Sequence, residues 1–214
     1  MRHHALVTCN ALAQVLTPLV SEDTIIRILD IGLHVSPDRL RARLLAEIAA
    51  VEQEGLDILL GYGLCGRGTE GLVSSQSRLI LPRVDDCVGA LLGSRTRHRQ
   101  VLRKCPGCYF LEPNWLDTEL NIFEEISKGI DRIPADRRDQ IIKMALKHYN
   151  TLALLSENNG TSPAWRQCEI YGSAYDLNLV HLPTDYSLLR RLIKGPWDSK
   201  DFVVVEPGKP IPLF

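Results

Sequence analysis

Short apolar runs, separated by stretches with helical spacing, organise this chain. The first run, Ala5 to Cys9, predicts a strand, and Ala11 to Val20 a short helix ended near Pro18. Thr24 to Ile31 is rich in β-branched side chains and predicts a second strand that terminates in Gly32-Leu33-His34. Ser36-Pro37-Asp38 has the residues of a helix start: a capping hydroxyl, a proline at the first helical position and an acid in the first turn. Behind it Leu40, Leu44, Leu45, Ile48 and Val51 recur on one helical face, and Gly55 closes the helix.

The third strand begins at Leu56. Its apolar run Ile58-Leu59-Leu60 passes straight into a glycine-rich turn, Gly61-Tyr62-Gly63-Leu64-Cys65-Gly66-Arg67-Gly68. A fourth run, Leu79-Ile80-Leu81, ends in Pro82-Arg83 and then Asp85-Asp86-Cys87. Two runs that each end in a loop with a cysteine read as neighbouring parallel strands with their carboxyl ends side by side. In an open α/β sheet, ligands bind at that edge.

The alternation continues to the end of the chain. Helices are predicted over Val88 to Leu92, Arg95 to Lys104, Asp117 to Lys128, Asp136 to Tyr149, Ser162 to Asp176 and Tyr186 to Ile193. Strands are predicted over Gly107 to Leu111, Thr151 to Leu155, Leu177 to Leu182 and Phe202 to Val205. The pattern predicts an α/β fold, a mostly parallel sheet with helices on both faces. Residues 1–214 read as a single domain or as two small α/β lobes, with Ile130 to Asp136 the candidate boundary.

Composition changes this picture little. The 214 residues suit one α/β domain or two lobes, and the apolar fraction of 45% is ordinary for a globular protein. A formal net charge of -1 gives no electrostatic argument for nucleic acid or an anionic membrane. No apolar run approaches the roughly 18 residues of a membrane span. The amino terminus lacks a signal-peptide pattern, since Thr8, Cys9 and Asn10 interrupt its apolar stretch, so a cytoplasmic location is expected.

The cysteines change it more. Cys9, His34, Cys65 and Cys87 each fall just past a predicted strand, on strands one to four in turn. If those strands share one parallel sheet, three thiols and an imidazole meet at one rim. That is a ligand set for zinc or an iron–sulfur cluster. The spacing is not that of a zinc knuckle, and a small buried residue at a strand end is the plain alternative for each. Cys105-Pro106-Gly107-Cys108 is a C-x-x-C that stands ahead of a strand rather than opening a helix, so it lacks a thioredoxin-like context.

Two other chemistries compete for the glycine turn. Cys65 on a tight turn can act as a nucleophile of hydrolase or amidotransferase type. An elbow of that kind reads Gly-x-Cys-x-Gly, however, whereas here Gly66 comes one residue early and Arg67 stands at the last position. His181 follows a late strand, but Leu182-Pro183 stands where a nearby acid is expected. Alternatively, Gly63 and Gly66 with Arg67 and Arg83 form a small-anion binding module. Asp86 can orient a ligand or serve its own helix terminus, and Tyr62 can wall the pocket and donate its hydroxyl. Arg95 to Lys104 reads as a solvated basic face, and Trp115, Trp165 and Trp197 as packing anchors.

Longer strings of residues carry a resemblance. They are Cys9, Gly32-Leu33-His34 with Pro37 and Leu40, Leu60 to Gly66, Pro82-Arg83 with Asp86-Cys87, and Leu92 to Arg95. Pro106-Gly107 with Tyr109, Pro113 and Trp115, then Lys194 to Asp198 with Asp201 to Val205, complete them. On these the chain resembles the domain of unknown function 1638 family over nearly its whole length. The resemblance implies a companion of corrinoid-dependent methyltransferase systems, acting in one-carbon metabolism beside a corrinoid protein or a methyltransferase. The family pattern carries Cys9, His34, Cys65 and Cys87 as its shared set and omits Cys105 and Cys108. Zinc, iron or a cluster is the expected cofactor, with a corrinoid reached through the partner.

Overall fold

A computed structural model describes residues 4–116, 121–124, 133–157 and 162–214. The regular elements begin with β1 (His4–Cys9), α1 (Asn10–Leu16), β2 (Ile25–Leu29), α2 (Pro37–Val51), β3 (Asp57–Gly61) and β4 (Arg78–Pro82). Then come α3 (Cys87–Leu91), α4 (Arg95–Lys104), β5 (Cys108–Leu111), α5 (Ala135–Ala145) and β6 (Thr151–Ser156). The series ends with α6 (Pro163–Tyr175), β7 (Asn178–Pro183), α7 (Ser187–Lys194) and β8 (Phe202–Val205).

The predicted alternation of strands and helices is present, but the strands belong to two sheets, in the orders β2-β1-β3-β4-β8 and β5-β6-β7. The chain accordingly divides into two compact units, Met1–Arg97 with Asp185–Phe214, and His98–Thr184. The stretch 130–136 lies within the span of the second unit. Residues 130–132 of it, much of the helix expected over 117–128, and residues 158–160 of the loop after β6 fall outside the described residues.

In the first unit β2, β1, β3 and β4 run parallel, and β8 returns antiparallel along β4 with Leu79 opposite Val205. That return occupies the outer edge of β4, where a fifth parallel strand would otherwise add. At the opposite edge β2 leaves Ile25 and Ile28 exposed. The helix over 11–20 is shorter than its pattern suggests. It stops at Leu16, and Thr17–Leu19 continues as a 3-10 turn, because Pro18 has no amide proton to donate. Helix α2 starts as its sequence dictates: the Ser36 hydroxyl accepts from the Arg39 amide with Pro37 at the first position. Leu40, Leu44, Ile48 and Val51 are buried, each worth roughly 1.5–3 kcal/mol when fully withdrawn from water.

One polar pair is built into this sheet. Asp57 and Arg78 are register partners on β3 and β4, and the guanidinium donates to both carboxylate oxygens at 2.8 and 2.7 Å. Trp197 packs against the same guanidinium, 5.7 Å from ring centroid to the charge centre. Asp57 is 2% exposed, and removing its carboxylate takes the two-pronged partner away from the Arg78 guanidinium, whose side chain is 24% exposed. Asp57→Ala is expected to lower stability by about 2 kcal/mol, read as a shift of the urea midpoint at unchanged slope.

The second unit pairs β5, β6 and β7 in parallel. Its core gathers Leu111, Leu152, Leu154, Ile142, Leu146 and Tyr171, with Phe123 stacked on Tyr171 at 4.1 Å. Ser162 caps α6 through the Trp165 amide, the Ser-Pro start expected there. The C-x-x-C is closed: Cys105 and Cys108 form a disulfide at the entrance to β5.

Candidate functional site

Because β2, β1, β3 and β4 are parallel, the segments that follow them leave from one rim of the first sheet. Cys9 is the last residue of β1, and His34 lies in the 3-10 turn Ile31–Val35 after β2. Tyr62 and Cys65 follow β3, while Asp86 and Cys87 follow β4. All belong to the first unit.

The β3 turn is tied to the β4 exit by backbone alone. The Leu64 amide donates to the Val84 carbonyl and the Cys65 amide to the Asp85 carbonyl, both at 2.9 Å. Gly63 permits this approach, since a Cβ there would stand 2.7 Å from the Val84 oxygen and 2.8 Å from the Asp86 nitrogen. From inside the turn, the buried Thr69 hydroxyl reaches the Gly63 and Leu64 carbonyls, donating at 3.0 Å to the first. The sequence pattern did not single out Thr69; a lone threonine six residues past a glycine carries no signal of that role. Cys65, Gly66 and Arg67 then occupy left-handed backbone one after another, with φ of 48°, 62° and 71°. Two of the three carry side chains, a costly arrangement of the kind concentrated at functional sites.

The thiols are near enough to interact: Cys65 responds to Cys9, and Cys87 to both. Burial pushes Cys9 up to about 11 from 9.0, only partly opposed by the Ala11 amide. Burial likewise pushes Cys65 up to about 12, against the Gly63 amide, and the neighbouring Cys9 and Asp86 charges add to the rise. Cys87 is driven well above its usual value, first by burial and then by Asp86, Cys65 and Cys9. All three are free thiols. Cys65 and Cys87 keep partial exposure while Cys9 is 3% exposed, so the cluster runs from the surface inward.

Tyr62 and His34 line the same cluster as a stacked pair, centroids 6.0 Å apart. The Tyr62 ring is 1% exposed and its hydroxyl has no hydrogen-bond partner. Burial raises its pKa strongly, with Cys9 and Cys65 as the next causes. A buried hydroxyl left unpaired is destabilising and stands out where nearly every such group is satisfied. His34 presents the complementary case. Its Nδ1 lies 3.0 Å from the Ile31 carbonyl, which can only accept, so Nδ1 carries the proton. Burial lowers its pKa, so at neutral pH the ring is neutral and Nε2 holds a lone pair.

A family model described as "Protein of unknown function (DUF1638)" matches residues 28–193. The chain belongs to that family. The match takes in His34, Tyr62, Cys65, Asp86 and Cys87, and begins after Cys9. No curated protein and no solved structure matches the chain. No described helix of this DUF1638 protein is long and apolar enough to cross a membrane.

The remaining predicted site residues have structural partners. Asp86 caps α3 by accepting from the Gly89 amide at 3.0 Å. Arg67 is engaged with Glu70 through two hydrogen bonds, and Arg83 donates to the Ser199 carbonyl while lying over the Phe214 ring. Gly66 supplies the left-handed turn. His181 belongs to the second unit, where its Nε2 meets Ser156. The donor types at the rim suit a soft metal: three thiols and an imidazole nitrogen whose other nitrogen is fixed by a backbone carbonyl. Among the described residues, however, no group of three or more His, Cys, Asp or Glu stands in a metal-holding arrangement.

Proposed function

We propose that this rim is a thiolate site for a soft metal ion or an iron–sulfur cluster. Cys9, Cys65 and Cys87 are the ligands, His34 Nε2 completes the set, and the protein works in or beside corrinoid-dependent methyl transfer. One observation carries the reading: three free thiols from the ends of separate strands gather at one rim, close enough that Cys9 bears on Cys65 and both bear on Cys87, beside an unpartnered Tyr62 hydroxyl. A cation among them reverses the electrostatic penalty, converting mutually repelling thiolates into ligands. The Tyr62 hydroxyl would donate to a thiolate sulfur or to an anion held at the metal. Bound zinc would activate a thiol substrate, and a cluster would pass electrons to a corrinoid held by a partner protein. Methyl transfer itself is the expectation attached to the family resemblance.

Elemental analysis and an absorption spectrum of protein prepared without oxygen test the reading. Zinc without colour, or iron with a broad violet band, is expected at a fixed ratio to the chain and is lost in Cys65→Ser. Protein that arrives without metal and takes up neither zinc nor ferrous iron on reconstitution would sink it. Tyr62→Phe supplies a second arm. Removing an unsatisfied hydroxyl should leave the metal-free protein as stable or about 1 kcal/mol more stable, while the loaded protein releases its metal faster.

A second reading, Cys65 as a nucleophile, is favoured by its left-handed backbone, the conformation of a nucleophile on a sharp turn. Against it, the thiol sits far above neutrality and its own amide is engaged by Asp85. Rapid, selective alkylation of Cys65 in metal-free protein at neutral pH would favour the nucleophile.

A further inference from the structure

The disulfide in the second unit has no part in the thiol rim. It closes Cys105-Pro106-Gly107-Cys108 across a sequence separation of 3, in a chain whose Cys9, Cys65, Cys87 and Cys168 are all free. A ring that short restrains the unfolded chain little compared with a long loop, so stapling explains it poorly. The strand it precedes is also held without it. The Gly107 carbonyl accepts from the Asn150 and Thr151 amides at 3.0 and 3.2 Å, and Cys108 pairs with Thr151 at the start of the β5–β6 ladder. On the other side the Cys105 amide closes helix α4 onto the Val101 carbonyl at 2.9 Å.

The two cysteines differ in exposure. Cys108 is 5% exposed, whereas Cys105 is half-buried next to the exposed Pro106. The preceding residues Arg103 and Lys104 are exposed cations, which favour an approaching thiolate and offset the helix carboxyl end that disfavours one. One partly exposed and one buried cysteine, between elements anchored independently, is the arrangement of a bond that can open without unfolding its surroundings.

We propose that Cys105–Cys108 is a reversible dithiol–disulfide couple that exchanges with an external dithiol through Cys105. A thiolate of the reductant attacks the Cys105 sulfur; the S–S bond breaks and Cys108 leaves as a thiolate that takes up a proton. The reductant's second thiolate then attacks its own sulfur in the mixed disulfide and releases Cys105. Two electrons pass to the protein, and the reductant leaves as its disulfide. This couple is independent of the thiol rim, since it uses none of the rim cysteines.

The test uses the full chain, equilibrated in dithiothreitol buffers of graded oxidised-to-reduced ratio, quenched by alkylation and cut with trypsin. Residues 105–128 come out as one peptide whose only cysteines are these two. The expected result is one reversible step in which the peptide gains two alkyl groups together, with an unchanged far-ultraviolet circular dichroism spectrum. In single variants, the Cys105 thiol of Cys108→Ser should exchange with a small disulfide at least tenfold faster than the Cys108 thiol of Cys105→Ser. Three results would overturn the proposal: a bond reduced only after denaturation, loss of secondary structure on reduction, or equal exchange rates in the two variants.

Discussion

Gly63→Ala is expected to destabilise the first unit by about 3 kcal/mol, a large effect for adding one methyl group. The glycine backbone is not left-handed there, so conformational freedom is not the cause; contact is. The added carbon would meet the Val84 oxygen at 2.7 Å, the Asp86 nitrogen at 2.8 Å and the Asp86 Cα at 3.0 Å. All three atoms are backbone, and none can step aside by changing rotamer. Relief requires the β3 turn to move away from the β4 exit, which breaks the bonds from Leu64 to Val84 and from Cys65 to Asp85. Those same bonds carry Cys65 toward Cys87. Urea unfolding should therefore show the lost stability, and metal retention should fall with it. Gly55→Ala is the control for glycine replacement in general. It has nothing within 4 Å of the added carbon and a φ of 78°, so it should show only left-handed strain and leave metal retention alone.

Much of this is legible in the sequence, for reasons that belong to particular residues. Ser36-Pro37 and Ser162-Pro163 announce α2 and α6 because capping and proline placement are local chemistry, settled within four residues. The rim position of Cys9, His34, Cys65 and Cys87 followed from strand ends alone, since parallel strands send their exits to one side. Sheet membership was not legible. Nothing local in Phe202–Val205 says that it runs antiparallel to β4, yet that pairing occupies the edge of the first sheet and goes with β5, β6 and β7 forming their own. Nor did the sequence distinguish Arg67 and Arg83 as ligands of an anion from Arg67 and Arg83 as partners of Glu70 and Ser199. A long cation is satisfied by whichever acceptor folding brings within reach, and that is tertiary information. Asp86 illustrates the intermediate case. Its place before α3 allowed both a cap and a ligand, and the cap is what the Gly89 amide displays.

Metal affinity should rise steeply with pH, by up to roughly a thousandfold per pH unit near neutrality. The metal-free rim holds Cys9 and Cys65 with pKa values of about 11 and about 12, and Cys87 well above 9.0, so at pH 7 all three are protonated. Binding as thiolates releases three protons. His34 adds none, because burial already keeps it neutral. Chelator competition between pH 6.5 and 8 should give a logarithmic slope near three, falling by one in Cys65→Ser; a slope near zero would mean that the thiols are not the ligands. The same shifts fix the stability of the metal-free protein. A folded pKa above the unfolded value of 9.0 means that stability is fully present below pH 9. It is then lost as pH rises through about 11 and about 12, because only the unfolded chain ionises in that window. The loss is expected to be on the order of a few kcal/mol, at about 1.4 kcal/mol per pKa unit. Metal-loaded protein, with its thiols already ionised, should keep its stability across the same range. Alkaline unfolding of the two forms, measured side by side, separates a thiolate centre from three cysteines that are merely buried.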